Sequence, residues 1–447
     1  MSEVRTFGGW RERRGFGVAG LSGPQTAGAL GAVLAALALA MVRPQVLAWL
    51  AVPVGGLFSL VMVRVRGDSL AGLLERRVRI LRAGGIRHPD RAAPLPGVLS
   101  ALHIVDVADA AGNEVGLIWL PGSGVTALVP VEPLGVELVA EDQAQAWLQA
   151  WSDWLSHLGY LSEVSRVAVT VHSGPAPRPP HRDVPSGVAG SIMAAVAADG
   201  LHTRTRTVVS LTVSADQKSD VPAACASVLD LLSGLDPLSR CGVAVLPAMG
   251  SSDVALWLRQ AFDPWLPDLV AAATDVGPTA VQETWGTYRH DGAVSACYSW
   301  HEPPGEAMPP WTLARLVGPT DYPKRVSLVY TPVPAHVAAR EVDRQAEAAM
   351  FRSEYRRRLG RDQTARDQVD LQKARQTAHE QARGAGVVDV SLYATVSAPD
   401  EQSLHAVTTD LEARAGESRL RLRRSYGAQE AVFAATLGVG FRPSSRW

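Results

Sequence analysis

The sequence predicts an α+β protein: an N-terminal transmembrane helical hairpin, followed by cytosolic mixed α/β domains of ferredoxin-like kind with a long charged helix. Three observations carry this expectation. Gln25 to Val42 and Pro44 to Val63 contain no charged residue, and Arg43 alone separates them. From Val98 onward, short β-rich runs alternate with stretches of helical spacing. Between residues 336 and 383 charged side chains dominate, and only Gly360 breaks a helical reading.

Each uncharged run is near the ~17–25 residues that a helix needs to cross a bilayer. One helix through both would place Arg43 in lipid, at about 2.5–3.5 kcal/mol. Two helices turning at Arg43 and Pro44 avoid that cost, and proline suits the first turn of a helix, where no N–H is needed. Arg11, Arg13 and Arg14 precede the pair, and Arg64 and Arg66 follow it. Positive flanks mark the cytoplasmic side, so the expectation is a two-span cell-membrane protein with both termini in the cytoplasm. On this reading, residues 1–24 are a basic tail, 25–66 the hairpin, and 67–97 an amphipathic helix with a linker. Leu70, Leu73, Leu74, Val78 and Leu81 recur at helical spacing among arginines. Such a helix either lies on anionic lipid or packs as a connector on the next domain.

A first α/β domain is expected over 98–173. Val98–Val107, Glu114–Leu120 and Val125–Val131 read as strands, with Pro121-Gly122-Ser123-Gly124 as a turn. Glu141–Leu158 reads as a helix with Trp147, Trp151 and Trp154 on one face. That stripe is a core face or a partner-binding surface. Arg166–His172 closes the unit, and the proline-rich stretch Ser173–Pro185 leads out of it.

A second domain is expected over 186–447. Its strands are Thr203–Ser214, Cys241–Leu246 and Arg325–Pro332, with helices over Pro222–Ser233 and Ser251–Phe262. Ala280–Arg289 and Ala293–His301 form a hairpin around Asp291-Gly292. The charged segment 336–383 is one helix or two joined near Gly360. Its arginine triplet Arg356, Arg357 and Arg358 belongs to a solvated arm or is a partner-binding contact for a phosphate or an acidic lipid headgroup. Val387–Val396, Pro399–Ala415 and Arg419–Arg423 follow as strand, helix and strand, and Tyr426–Leu437 as helix or strand. That order is the basis of the ferredoxin-like expectation.

A balance of 43 basic against 44 acidic residues argues against a general nucleic-acid binder, so direct nucleic-acid contact is not expected. Cys225, Cys241 and Cys297 form no metal motif, and His172 and His181 lack a third ligand. No Walker A, H-E-x-x-H, G-x-S-x-G or strand-to-helix G-x-G-x-x-G pattern occurs. No catalytic residue, cofactor or metal is therefore assigned. A membrane-tethered enzyme with a site assembled from dispersed acids and histidines is the alternative of another class.

Several stretches resemble a known group. Arg13-Arg14-Gly15, Gly20 to Gln25, the uncharged pair and Val63 to Gly67 resemble the small hairpin subunit of a type IV secretion inner-membrane complex. Val115 to Ile118, Thr126 to Val129, Glu283-Thr284-Trp285 with Tyr288, and Arg340-Glu341-Val342 resemble the non-ATPase half of the VirB/TraC-type assembly ATPase. Ser397 to Asp400 and Leu422 to Gln429 match the same half best. The chain thus resembles actinobacterial conjugation-associated membrane proteins in which the two parts are fused. The resemblance implies a membrane-anchored scaffold that docks a separate cytosolic ATPase, within an oligomeric complex of other inner-membrane subunits and lipid. It implies no catalytic residues. An E-type accessory subunit of a type VII (ESX-like) secretion complex is the second structural reading.

Overall fold

The computed structural model describes residues 31, 64–65, 68–83, 85–90, 93–135, 139–161, 163–175, 187–188, 190–191, 203–266, 276–302, 311–333 and 387–443. Twelve strands form one sheet: β1 (His103–Ala108), β2 (Glu114–Leu120), β3 (Gly124–Pro133), β4 (Val164–Pro175), β5 (Thr203–Val213), β6 (Val243–Val245), β7 (Val281–Glu283), β8 (Tyr288–His290), β9 (Ala293–Glu302), β10 (Lys324–Val333), β11 (Val387–Ala398) and β12 (Arg421–Arg424). The main helices are α1 (Leu70–Ala83), α2 (Glu141–Leu158), α3 (Val221–Ser233), α4 (Ser251–Phe262), α5 (Glu401–Glu417) and α6 (Gln429–Ala435).

The lateral order is β1-β2-β3-β5-β4-β10-β11-β9-β8-β7, with β6 also beside β3 and β12 also beside β9. Every pairing is antiparallel. This order hides a repeat. In the first half β3, α2, β4, β5, α3 and β6 follow one another, and their strands lie in the order β6-β3-β5-β4. In the second half β9, the helical turn Ala314–Val317, β10, β11, α5 and β12 follow one another, and their strands lie in the order β12-β9-β11-β10. Two further strands precede each set, and one helix follows it (α4, then α6). The halves therefore carry the same topology about a pseudo-two-fold axis. Their equivalent strands β4 and β10 meet at the centre, from Lys324 opposite Ser173 to Tyr330 opposite Val167.

Alternation of side chains along the strands divides the core between two faces. One face holds Val125, Ala127, Val129, Val167, Leu211, Val326, Leu328 and Ala394, under α2, α3 and α5. On it α2 of the first half reaches the second: Trp151 packs on Trp154 at 5.1 Å and edge-on against Tyr330 of β10 at 5.5 Å. The opposite face holds Leu128, Ala168, Val208 and Val329 under α4 and α6, whose Phe262 and Phe433 rings lie 5.1 Å apart. Full burial of each valine, leucine or phenylalanine among them contributes about 1.5–3 kcal/mol.

That second face also carries buried hydroxyls that satisfy one another. Thr126 pairs with Thr212 at 2.9 Å, Thr170 with Ser327 at 3.0 Å, and Ser295 with Ser397 at 2.7 Å. The chain after α6 crosses directly above the first two of these pairs. Gly440 (φ +74°) lies where a Cβ would strike the Thr126 and Thr212 hydroxyls, and Gly438 (φ +74°) lies against Thr170. Arg166 donates to the Gly440 carbonyl, Trp257 Nε1 donates to the Leu437 carbonyl at 2.9 Å, and Arg442 binds Asp389 at 2.8 Å.

These observations correct the expected fold class. Each half has the β-α-β-β-α-β order of a ferredoxin-like unit, but the two are not separate domains, because one hydrogen-bonded sheet runs through both. The divide expected between 98–173 and 186–447 coincides with no break in it, since β4 pairs with β5 from Val164 opposite Val213 to Pro175 opposite Thr203. The transmembrane hairpin and the cell-membrane location built on it are corrected too. Among the described residues no helix is long and apolar enough to cross a membrane. The longest, α2, carries Glu141, Asp142 and Asp153 opposite its tryptophans. Of the expected spans only Gly31 is described, and the charged helix expected over 336–383 lies outside the described residues. The strand expected from Val98 starts instead at His103. Gly97 (φ +56°) opens a helical turn over Gly97–Leu99, and Glu430 fills the space that a Cβ would need.

Because Trp151 couples α2 to the strand of the other half, Trp151→Ala is expected to cost about 2 kcal/mol, below the range for a fully buried tryptophan. Trp151→Phe should recover most of that loss. Urea unfolding followed by circular dichroism measures both variants.

Candidate functional site

The helix α1 is built from leucine and arginine, which are good helix formers. Arg76 and Arg79, three residues apart, share one face. That face is clamped to the second half of the sheet. Arg79 Nη2 donates to the Gly427 carbonyl at 2.6 Å, and Arg76 Nη1 donates to the Tyr426 carbonyl at 3.5 Å. The Arg77 guanidinium lies 5.4 Å from the Trp285 ring centroid, a cation–π contact. Just beyond the helix, Arg87 pairs with Glu430 at 2.9 Å, and its backbone forms a bridge with Val281 of β7. Of the two readings of this segment, the connector packed on the next domain is the one observed.

The receiving surface is made from two stretches far apart in sequence. Glu283 ends β7 and Thr284 and Trp285 begin the turn to β8, while Ser425 to Ala428 links β12 to α6, which opens on Gln429 and Glu430. Trp285 stacks on Tyr426 at 6.1 Å, and its carbonyl accepts from the Gly427 N–H at 2.8 Å. Gly427 (φ +72°) has no room for a Cβ, which would meet the Trp285 ring and the Arg76 stem. Gln429, fully buried, accepts from the Cys297 N–H at 2.8 Å and donates to the Ser425 carbonyl at 2.7 Å. Glu283 accepts from the Glu430 N–H at 3.2 Å. Burial, and secondarily the neighbouring Glu430, push the Glu283 carboxyl above its ordinary value of 4.5, against the opposing pull of Arg79 and Arg87.

The outer face of α1 is apolar as well as basic: Leu74 is 54% exposed and Leu81 74% exposed, with Ile86 exposed beyond them. The site thus offers arginine, aromatic and leucine side chains on a pinned helix. That is the chemistry of protein docking.

The tryptophan stripe faces inward. Trp154 is buried, Trp151 packs as described, and Trp147 lies over Gly242, where a Cβ would enter its ring. Arg64 sits in a two-residue strand, Arg64–Val65, paired with Asp68–Ser69. Arg11, Arg13, Arg14, Arg43, Pro44, Arg66, Arg356, Arg357 and Arg358 lie outside the described residues. Sequence reasoning singled out the Glu283 and Ser425 stretches but not their meeting. The signal for it was the density of arginine in α1 opposite two aromatic turns.

Among the described residues the arrangement nearest to catalytic geometry is His290 with Ser295, Nε2 to Oγ at 2.7 Å. The His290 Nδ1–H donates to the Phe262 carbonyl at 2.5 Å, so no carboxylate orients the ring. Both residues are buried in the core, and burial pushes the His290 pKa down to about 4. Among the described residues no group of three His, Cys, Asp or Glu side chains is placed to hold a metal ion. No family model matches the chain, and no curated protein matches it.

Trp285→Ala is expected to release α1. Hydrogen exchange over residues 70–83 should rise by roughly tenfold, as for loss of a contact worth about 1–2 kcal/mol, while the β4–β10 amides stay protected. Glu283 gives a pH prediction. Its raised pKa means that the folded chain holds a proton above pH 4.5 that the unfolded chain releases. Stability therefore falls as pH rises through that window. Glu283→Gln should remove the fall, raising Tm at pH 7.5 by on the order of 2 °C with little change at pH 4. A thermal melt series across pH checks this.

Proposed function

We propose that the protein is a structural scaffold subunit of a type IV-like, conjugative secretion apparatus, and that it docks a separate motor ATPase. One observation carries the reading. Two of the stretches that carry the resemblance, Glu283 to Tyr288 and Leu422 to Gln429, are distant in sequence yet fold into one surface gripping α1. A purely structural pair of motifs has reason to meet in this way when the element it fixes is used by a partner. The pinned helix turns Leu74 and Leu81 outward, and these apolar positions are the proposed contact for the ATPase subunit. The repeated topology supports the same reading, since it gives a broad rigid sheet on which one docked helix is held in a fixed orientation.

The test is co-purification of the tagged full-length chain from cross-linked host cells. A Walker-A-bearing ATPase is expected as a stoichiometric companion, and Leu81→Asp should reduce its recovery about tenfold while leaving the circular dichroism spectrum unchanged. Recovery of the chain alone, or equal recovery with Leu81→Asp, would overturn the proposal.

A further inference from the structure

Across the centre of the sheet, three cationic or imidazole side chains stand side by side on adjacent strands. Arg325 of β10 is directly opposite His172 of β4, and His172 is directly opposite Arg206 of β5. Directly paired residues on neighbouring antiparallel strands project to the same face with Cα atoms about 4.5–5.5 Å apart. The row is therefore roughly 10 Å from end to end, within the combined reach of its two arginines. Arg206 and His172 belong to the first half of the fold and Arg325 to the second, so the row crosses the pseudo-two-fold seam.

The three members are held differently. Arg206 is half-buried and donates to Gln260 Oε1 of α4 at 2.9 Å. His172 is half-buried, with its ring edge-on to Trp257 of α4 at 5.9 Å. Arg325 is only 4% exposed, and its guanidinium lies 4.4 Å from the Phe433 ring of α6. Among the described residues its Nε and Nη2 have no hydrogen-bond partner, and no carboxylate faces it. A buried charge normally has a counter-charge or a full set of hydrogen bonds, because leaving it uncompensated is strongly destabilising. Burial drives the Arg325 pKa down only to about 10, so it remains cationic at neutral pH. Burial, with Arg325, Arg206 and Arg204 as nearby positive charges, pushes His172 down to about 3 and leaves a neutral ring that offers one N–H. The row holds two fixed positive charges, a neutral donor, and unused guanidinium donors at its deep end.

We propose that Arg325, His172 and Arg206 form a receptor for one anionic oxygen group, a phosphate or a carboxylate, bound across the seam between the two halves. Arginine forks match such groups with parallel N–H···O bonds. The ligand enters from the half-exposed side at Arg206 and completes the hydrogen bonds of Arg325. Because both halves contribute, the bound anion ties them together. This inference is independent of the proposed docking of an ATPase.

The test uses the full-length chain in a buffer containing only chloride, with inorganic phosphate or acetate added at matched ionic strength. A saturable rise in Tm of about 5 °C is expected with at least one of them. Phosphate acting alone identifies a phosphate receptor, and acetate acting alone a carboxylate receptor. Arg206→Gln, which alters only the half-exposed end, should abolish the rise. Arg325→Met should abolish it as well, and should itself melt above the parent in the chloride buffer, because the uncompensated charge is gone. No rise with either anion in the parent chain would overturn the proposal, and so would an equal rise in the parent and Arg206→Gln.

Discussion

The pairing of β4 with β10 is the interaction on which the rest of the structure depends. It joins the second strand of one repeated set to the second strand of the other, so the two sets form one sheet. Its consequences run outward on both faces. On one, α2 spans the junction and sets Trp151 against Tyr330. On the other, α4 and α6 arrive from equivalent places in the two halves and meet through Phe262 and Phe433. If the seam opened, each of these cross-half contacts would lose its partner, and apolar surface from both halves would face water.

The seam also accounts for an unusual core. Hydroxyl groups line the α4/α6 face of the central strands where aliphatic side chains would ordinarily sit, and they are satisfied in pairs across neighbouring strands. Small polar residues let the backbone after α6 approach the sheet closely, as Gly438 and Gly440 do over Thr170 and Thr126. Larger side chains at these hydroxyl positions would lift that segment away. It would then lose the Arg166, Trp257 and Arg442 bonds that tie it down. Polar pairing thus replaces part of the apolar burial here, and gains close backbone packing in return.

Local structure was largely legible in the sequence, whereas the assembly of the sheet was not. Short runs such as Glu114–Leu120 and Thr203–Val213, and the Asp291-Gly292 turn, announce themselves through apolar and β-branched residues and turn chemistry. Nothing local shows that β4 pairs with β10, because strand neighbours separated by roughly 150 residues leave no periodic trace. The repeat was hidden for a related reason. Its halves share connectivity and not composition: α2, at 18 residues, corresponds to the four-residue turn Ala314–Val317. The tryptophan stripe was legible as a helix face, but the choice between core and partner surface needed Gly242 and Tyr330, which come from other elements. The membrane hairpin rests on run length, absence of charge, the Arg43-Pro44 turn and basic flanks, and none of these distinguishes a lipid-facing run from any other apolar run.

Arginine serves two opposite purposes in this fold, and the contrast explains why the clamp and the cationic row differ in kind. In α1 the guanidinium groups reach outward from a helix to carbonyls at a turn, where Gly427 leaves space and solvent is close. Arg76 and Arg79 each donate to a backbone carbonyl of that turn, and these contacts fix the orientation of the helix. Arg325 is instead placed by the register of the sheet itself. Moving β10 by one residue would turn it to the other face, along with every core side chain of that strand. The seam therefore holds Arg325 in position whether or not its charge is compensated. A cation fixed by register in this way remains available for an anion to satisfy.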